Sequence, residues 1–168
     1  MKIDLEQLIK FLDMKPLENE GGLFRQTYLS PLVYQPTGQP GAEHPLCTTI
    51  YYLLTAESNS FSELHKLPSD EIFHFYLGDP VEQLRLYPDS HGELVLLGQE
   101  ILHGQQVQSV VPGGVWQGSR LAEGGEFALL GTTMAPGYRV EDYLRGDRQL
   151  LSTFYPDWRQ LICTLTRK

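Results

Sequence analysis

The chain has 168 residues, enough to bury one sizeable hydrophobic core and too few for two ordinary domains. It carries 21 Asp and Glu against 13 Lys and Arg, a formal net charge of −8, which argues against nucleic acid or an anionic membrane surface as a partner. The sequence shows neither an apolar run of membrane-spanning length nor a signal-peptide pattern, so we expect a cytoplasmic protein.

The first predicted element is a short amphipathic helix. Asp4 and Gln7 have the spacing of a capping box at a helix start. Apolar residues then recur at helical spacing, at Leu5, Leu8, Ile9 and Leu12. A strand is predicted over 23–28, and a surface loop rich in proline over 30–45.

The middle of the chain consists of short runs rich in β-branched and aromatic residues, separated by glycine and proline turns. The predicted strands cover 48–54, 60–67, 71–77, 81–87, 93–97, 106–111, 115–117 and 127–133. The tail from Pro156 changes to helical spacing, with a proline in the first turn. Many short strands with helices only at the two ends predict an antiparallel sandwich or barrel.

One stretch, 65–78, concentrates side chains that can hold a metal or move a proton: His65, Glu71 and His74. Glu71 opens an apolar strand, where a buried carboxylate requires a partner. The turn-forming segment 67–70 is expected to bring the imidazole of His65 back towards this carboxylate. Such a pair suits either a metal site or a general base with its orienting partner.

These residues follow two motifs in the order typical of one superfamily. The first motif, G-x5-H-x-H-x3-4-E-x6-G, is matched at His65, Glu71 and Gly78, with Leu67 at the second histidine position. The second, G-x5-P-x-G-x2-H-x3-N, is approached by Gly104, Pro112, Gly114 and Gln117. The chain thereby resembles the cupin superfamily, and within it the RmlC-like DUF985 (Cupin_5) family. Sequence patterns similar to those of this family also occur at 20–28, 70–80 and 111–117.

The resemblance implies an all-β fold, the cupin-type double-stranded β-helix or jelly-roll barrel, with short helices at the N- and C-termini. We expect a single cupin domain over 1–168, divided into an N-terminal helix in 1–20, a barrel over 21–140 and a helical tail over 141–168. Cupins commonly pair through the outer face of one sheet. Ile72, His74 and Tyr76 would place apolar and aromatic groups on that face, so the resemblance also implies a homodimer.

The metal site that the resemblance implies consists of three histidines and one glutamate, and this chain departs from that ligand set. Leu67 and Gln117 occupy two of the histidine positions, and a glutamine amide is a weak neutral ligand. His74 follows Glu71 by three residues, which on a regular strand directs it to the opposite face. We therefore expect no cofactor. The alternative is a divalent metal held by His65, Glu71, His74 and Gln117.

The predicted site lies inside the barrel. His65 and Glu71 are the candidate catalytic residues, with His65 as base and Glu71 as its orienting partner. The candidate ligand-binding residues are Gln117, Phe73, Phe75, Arg25 and Thr27.

Three functions stay open. The first is a metal-independent isomerase or epimerase acting on a small molecule, as in the deoxysugar-nucleotide epimerases that this chain resembles. The second is a metal-dependent cupin oxygenase or isomerase. The third is a module that binds a small ligand without chemistry.

Overall fold

The computed structural model describes residues 3–37, 41, 43–57 and 60–167. The chain begins with helix α1, Leu5–Phe11, as predicted. The side-chain oxygen of Asp4 accepts a hydrogen bond from the backbone N–H of Gln7 at 3.2 Å and so caps the first turn. The apolar face of α1 packs with Met14 and Leu53 on the outside of a sheet. None of the described helices is long and apolar enough to cross a lipid bilayer.

Thirteen strands occur in the described part of the chain. They are β1 Lys15–Pro16, β2 Leu23–Leu29, β3 Val33–Tyr34, β4 His44–Pro45, β5 Thr48–Thr55, β6 Ser62–Lys66, β7 Glu71–Gly78, β8 Val81–Leu86, β9 Gly92–Leu97, β10 Gln108–Val111, β11 Trp116–Leu121, β12 Phe127–Met134 and β13 Leu144–Arg145.

The strands form two main antiparallel sheets. The six-stranded sheet has the order β1-β2-β5-β12-β7-β10, and the five-stranded sheet has the order β13-β6-β11-β8-β9. From β6 to β12 the chain passes repeatedly between the sheets, which is the winding of a jelly roll. The predicted all-β barrel is confirmed. The loop 30–45 contains the small β3–β4 ladder, which was not predicted, and its residues 38–40 and 42 lie outside the described residues.

The main hydrophobic core fills the space between the sheets. Its buried members are Tyr52, Leu54, Phe73, Phe75, Val81, Val95, Leu97, Val111, Val115, Ala128 and Leu130. A second cluster lies on the outer face of the five-stranded sheet, where Leu64, Leu84 and Leu86 are fully buried beneath the C-terminal helices. Burying each of these leucines stabilises the fold by about 1.5–3 kcal/mol, so the tail completes the structure of this sheet.

The tail contains more helix than the sequence predicts. Helix α2, Arg148–Phe154, precedes a 3-10 turn at Pro156–Trp158 and helix α3, Arg159–Thr164. Only the segment from Pro156 onwards was predicted. The missed helix α2 is capped by Asp147, whose side chain accepts a hydrogen bond from the N–H of Leu150 at 2.7 Å.

Candidate functional site

Strand β7 directs Glu71 into the barrel. Its residues are buried alternately, so Glu71, Phe73 and Phe75 face the interior while the residues between them face outwards. This orientation was predicted and is confirmed. Oε2 of Glu71 accepts a hydrogen bond from Nε2 of Gln117 at 2.8 Å, so the predicted meeting of these two side chains is also confirmed.

The surroundings of Glu71 raise the pKa of its carboxyl group. Burial raises the pKa of Glu71 from 4.5 to about 7, and the negative charge of Glu20 adds to this rise. His65 and hydrogen bonds from Thr132 and Gln117 act in the opposite direction and lower this pKa. A carboxyl group of this kind can both give and take a proton at physiological pH.

A β-bulge in β6 directs His65 inwards. Gln117 of β11 is opposite His65, and Ser119 is opposite Ser62, so two β6 residues lie across from Gly118 alone. Ser62 and His65 are three residues apart, yet both turn towards the interior, where each approaches Glu20. His65 lies within strand β6, inside the predicted strand 60–67, and the pairing of β6 with β11 sets its position.

The imidazole of His65 is fixed by two contacts. Its Nδ1 lies 2.7 Å from the carbonyl oxygen of Glu63, and its ring stacks on Tyr143 with 5.0 Å between centroids. A carbonyl oxygen only accepts, so Nδ1 carries the hydrogen. Nε2 then presents a lone pair when the ring is neutral, and it has no hydrogen-bond partner among the described residues. His65 is 1% exposed.

The acidic partner of His65 is Glu20, a residue to which the sequence assigned no role. Oε1 of Glu20 lies 4.0 Å from Nε2 of His65 and accepts a hydrogen bond from the hydroxyl of Ser62 at 2.8 Å. His65 and Glu71 share no hydrogen bond among the described residues, and the expected pairing of the two is limited to the effect of His65 on the pKa of Glu71.

The turn that carries Glu20 ends in two glycines with positive φ angles, Gly21 at 102° and Gly22 at 69°. A Cβ atom on Gly22 would lie 2.9 Å from the carbonyl oxygen of Leu53, so only glycine fits there. The neighbouring Glu20 and Gly21 are tied to the barrel through their carbonyl oxygens, which accept from the N–H of Glu63 at 2.8 Å and from the hydroxyl of Tyr52 at 3.0 Å.

A cavity of about 80 Å³ opens beside these groups. Its walls are formed by Leu17, Glu20, Phe24, Gln26, Thr48, Ile50, Leu67, Glu71, Thr132, Met134 and Tyr138. Of the predicted site residues, Glu71 lines this cavity, whereas His65 and Gln117 lie behind its wall. Phe73 and Phe75 belong to the main core.

Two predicted ligand-binding residues point away from the cavity. Arg25 donates from Nη1 to the carbonyl oxygen of Leu12 at 3.1 Å, and the hydroxyl of Thr27 shares a hydrogen bond with a threonine of β5. Both are exposed. The prediction that they face inwards is wrong, because the alternating positions Phe24 and Gln26 occupy the inner side of β2.

His74 lies on the outer face of the six-stranded sheet, as its spacing from Glu71 predicts. Its ring stacks parallel to that of Tyr76 and lies near Gln108 and Thr133. His74 and Glu71 therefore lie on opposite faces of the sheet and cannot bind one ion together.

Tyr138 supplies a hydroxyl group at the cavity wall. Burial, with the nearby charges of Glu20 and Glu71, raises the pKa of Tyr138 to about 12, so this hydroxyl stays protonated. Within the described residues it has no hydrogen-bond partner. Tyr138 can therefore donate to an oxygen or nitrogen of a ligand.

A second polar cluster inside the barrel was missed. Arg85 is 6% exposed and donates from Nε and Nη2 to Oε1 of Gln83, at 3.1 and 2.7 Å, and from Nη2 to the hydroxyl of Ser109. It also forms an ion pair of 3.4 Å with Glu93. Because the described partners satisfy its guanidinium, Arg85 braces the two sheets and does not face the cavity.

The residues present do not fit the metal centre of metal-binding cupins. Among the described residues, no three His, Cys, Asp or Glu side chains lie close enough to share one ion. Beside the Glu71 carboxyl, the remaining donors are Nε2 of His65 and the neutral amide oxygen of Gln117, which is a weak ligand. The proton chemistry proposed below therefore uses the side chains of the protein alone.

We expect the purified protein to hold no stoichiometric transition metal at the barrel centre, because two of the four ligand positions carry Leu67 and Gln117. Elemental analysis after expression in metal-supplemented medium is the measurement. About one Ni, Zn, Mn or Fe per chain, lost on substitution of Glu71 by alanine, would contradict this expectation.

The fold and the inward-facing motif residues define a cupin-type barrel. A model of the cupin superfamily family DUF985 (Cupin_5) matches residues 6–144, so the chain belongs to this family. It is similar to the uncharacterized protein YML079W of Saccharomyces cerevisiae, with 30% identity over 91% of this chain and 81% of that protein.

Two solved structures are similar over almost the whole chain. Protein SO0799 of Shewanella oneidensis is 27% identical, with a TM-score of 0.86 and 99% of each chain covered. A hypothetical protein from Leishmania major is also 27% identical, with a TM-score of 0.88, covering 99% of this chain and 100% of that chain. Both structures share the fold of this chain, and their names assign no reaction.

Proposed function

We propose that this chain binds a small, uncharged or cationic organic molecule in the mouth of its barrel and transfers a proton on it without a metal, as an isomerase or epimerase does. The observation that carries the proposal is Glu71, a buried carboxyl at the cavity wall whose pKa lies at about 7. A general acid–base group works best when its pKa is close to the working pH.

The charge of the cavity selects the ligand. Its lining contains the carboxyl groups of Glu20 and Glu71 and no Lys or Arg among the described residues. An anion would be repelled by these groups, whereas a hydroxyl, an amine or a carbonyl can be bound by them and by the Tyr138 hydroxyl. The five apolar wall residues suit the carbon skeleton of such a molecule.

We assign the proton transfer to Glu71. Its Oε2 accepts a hydrogen bond from Gln117, and the carboxyl lines the cavity, where it can exchange a proton with the ligand. Gln117 thus orients the carboxyl, and the base role expected for His65 passes to Glu71, since His65 does not line the cavity.

His65 acts in this proposal through Glu20. Its Nε2 lies 4.0 Å from Oε1 of Glu20, too far for a hydrogen bond but close enough for an electrostatic contact with that carboxylate. His65 is accordingly a positioning residue for Glu20.

Proton exchange in D₂O tests this function. With a panel of small hydroxyketones and aminoketones, we expect the wild-type protein to increase the rate at which the proton on the carbon next to the carbonyl exchanges for deuterium. This exchange is followed as the loss of the NMR signal of that proton. Glu71→Gln should lower that rate by about 100-fold, because acid–base groups contribute about 10²–10⁴ in rate. Ligand binding, followed by saturation-transfer NMR, should persist.

The matched control is Glu82→Gln, the same change at a carboxylate on the outer side of β8, where it is paired with Arg120. The Glu82→Gln variant should catalyse proton exchange on the ketones at the rate of the wild type. Binding with no exchange in any variant would instead identify a non-catalytic binding module, and absence of binding across the panel would remove the proposal.

We also propose a homodimer formed through the outer face of the six-stranded sheet. Tyr76 and Val110 are 44% and 46% exposed on this face, beside Ile72 and His74. Light scattering at micromolar concentration should give twice the mass of one chain, and Tyr76→Glu should give a monomer. A wild-type monomer would contradict the proposal.

A further inference from the structure

A broad groove lies where the edge strand β13 meets the two C-terminal helices, away from the barrel cavity. Its volume is about 830 Å³. It is lined by Arg145, Gly146, Asp147, Arg148, Gln149, Ser152, Thr153, Arg159, Cys163 and Arg167. We call it the arginine groove.

The arginine groove is positively charged in a protein whose net charge is −8. Four of the chain's 13 basic side chains line it. Among the described residues, the acidic groups in the groove or paired with its arginines are Asp147 in the lining and the buried Glu63 beneath it, while Glu18 and Glu57 line a neighbouring pocket that shares Arg167. Four positive charges against two negative charges leave an excess of two positive charges at this place.

Three of the four guanidinium groups are held in position. Arg145 and Arg167 form ion pairs with the same oxygen of Glu63, Oε2, at 3.1 and 2.9 Å. Arg148 donates to the hydroxyl and to the carbonyl oxygen of Thr166. The guanidinium of Arg159 has no hydrogen bond or ion pair in the part of the chain that the structure describes. The groove therefore combines fixed positive charge with one free guanidinium.

We propose that the arginine groove binds a phosphate-bearing small molecule. Guanidinium groups match the oxygens of a phosphate in pairs, and charge-assisted hydrogen bonds of this kind are among the strongest. The lining contains no aromatic or large aliphatic side chain, which the core of a protein–protein interface would need. Its volume lies within the roughly 300–1,000 Å³ of small-molecule sites.

Cys163 offers a direct readout, because it is exposed in the groove and its thiol is free. In a Cys47→Ser protein, Cys163 is the sole remaining cysteine. Inorganic pyrophosphate should slow the alkylation of Cys163 by the neutral reagent iodoacetamide by about threefold or more, through contacts with the surrounding arginines. Sodium chloride at equal ionic strength should leave the rate of Cys163 alkylation unchanged.

Two arginine variants on this background separate specific binding from general electrostatics. Arg159→Ala should raise the pyrophosphate concentration for half-protection by about fivefold or more, since an arginine–phosphate contact is lost. Arg120→Ala removes the same charge outside the groove and should leave this concentration unchanged. Circular dichroism checks that both variants fold. The proposal is overturned if about 5 mM pyrophosphate gives no protection, or if both variants weaken protection equally.

Discussion

Glu71→Gln is expected to make the protein more stable than the wild type at pH 8, by about 3 kcal/mol, and to leave the two equally stable near pH 4. The buried carboxyl must lose its proton above pH 7 in the folded state, at a cost in desolvation that a neutral amide avoids. The amide oxygen can still accept the hydrogen bond from Gln117.

The sign follows from the two pKa values of Glu71. Its pKa is raised from 4.5, the value in an unfolded chain, to about 7 in the folded protein. The stability associated with the protonated group is complete below pH 4.5, falls as the pH rises through this window, and levels off above pH 7. The difference between the two pKa values corresponds to about 3 kcal/mol.

Urea unfolding at intervals from pH 4 to pH 8 measures this effect as the difference between variant and wild type. That difference cancels the titration of the other groups. Glu82→Gln, at a partly exposed carboxylate, should give a curve parallel to the wild type. A Glu71→Gln difference that stays constant over the whole range would show that Glu71 ionises normally in the folded protein.

Arg85→Ala is expected to lower the free energy of unfolding by about 3 kcal/mol, because it leaves the buried Oε1 of Gln83 without a donor and removes a bond to Ser109. The loss of the buried side chain adds to this cost. The Glu93 ion pair contributes little, since that carboxylate is 43% exposed.

Arg120→Ala is the matched control for Arg85. Arg120 also forms an ion pair, with Glu82 at 2.9 Å, but its side chain is 42% exposed. Its removal should cost less than about 1 kcal/mol. If the two substitutions destabilise the protein equally in urea, the cluster around Arg85 does not brace the sheets.

The parts of the site that follow from local sequence were predicted correctly. Strand alternation alone directs Glu71 and Phe73 inwards, and the second motif identified Gln117 as a polar group near them. Arg25 was misplaced by the same rule, because alternation does not say which of the two sets on a strand faces the core. That choice depends on Phe24, which packs against residues distant in sequence.

The missed parts depend on tertiary contacts. Glu20 lies 45 positions before His65, and it meets the imidazole because a Gly-Gly turn and a bulge in β6 bring them together. A carboxylate directly before two glycines was the available signal. Arg85 was overlooked because a charged residue between leucines suggests a solvent-facing position, whereas the C-terminal helices cover the leucine face instead.

Leu17 and Glu20 lie in the cavity wall, so we expect the segment 17–22 to limit how quickly a ligand enters the barrel. The cavity, about 80 Å³, is well below the roughly 300 Å³ of sites for drug-sized molecules. We expect a larger molecule to enter only when the hydrogen bonds of Glu20 and Gly21 to β6 and Tyr52 break. Its observed association rate should therefore rise with concentration at first and then reach a plateau, set by the rate at which this segment opens.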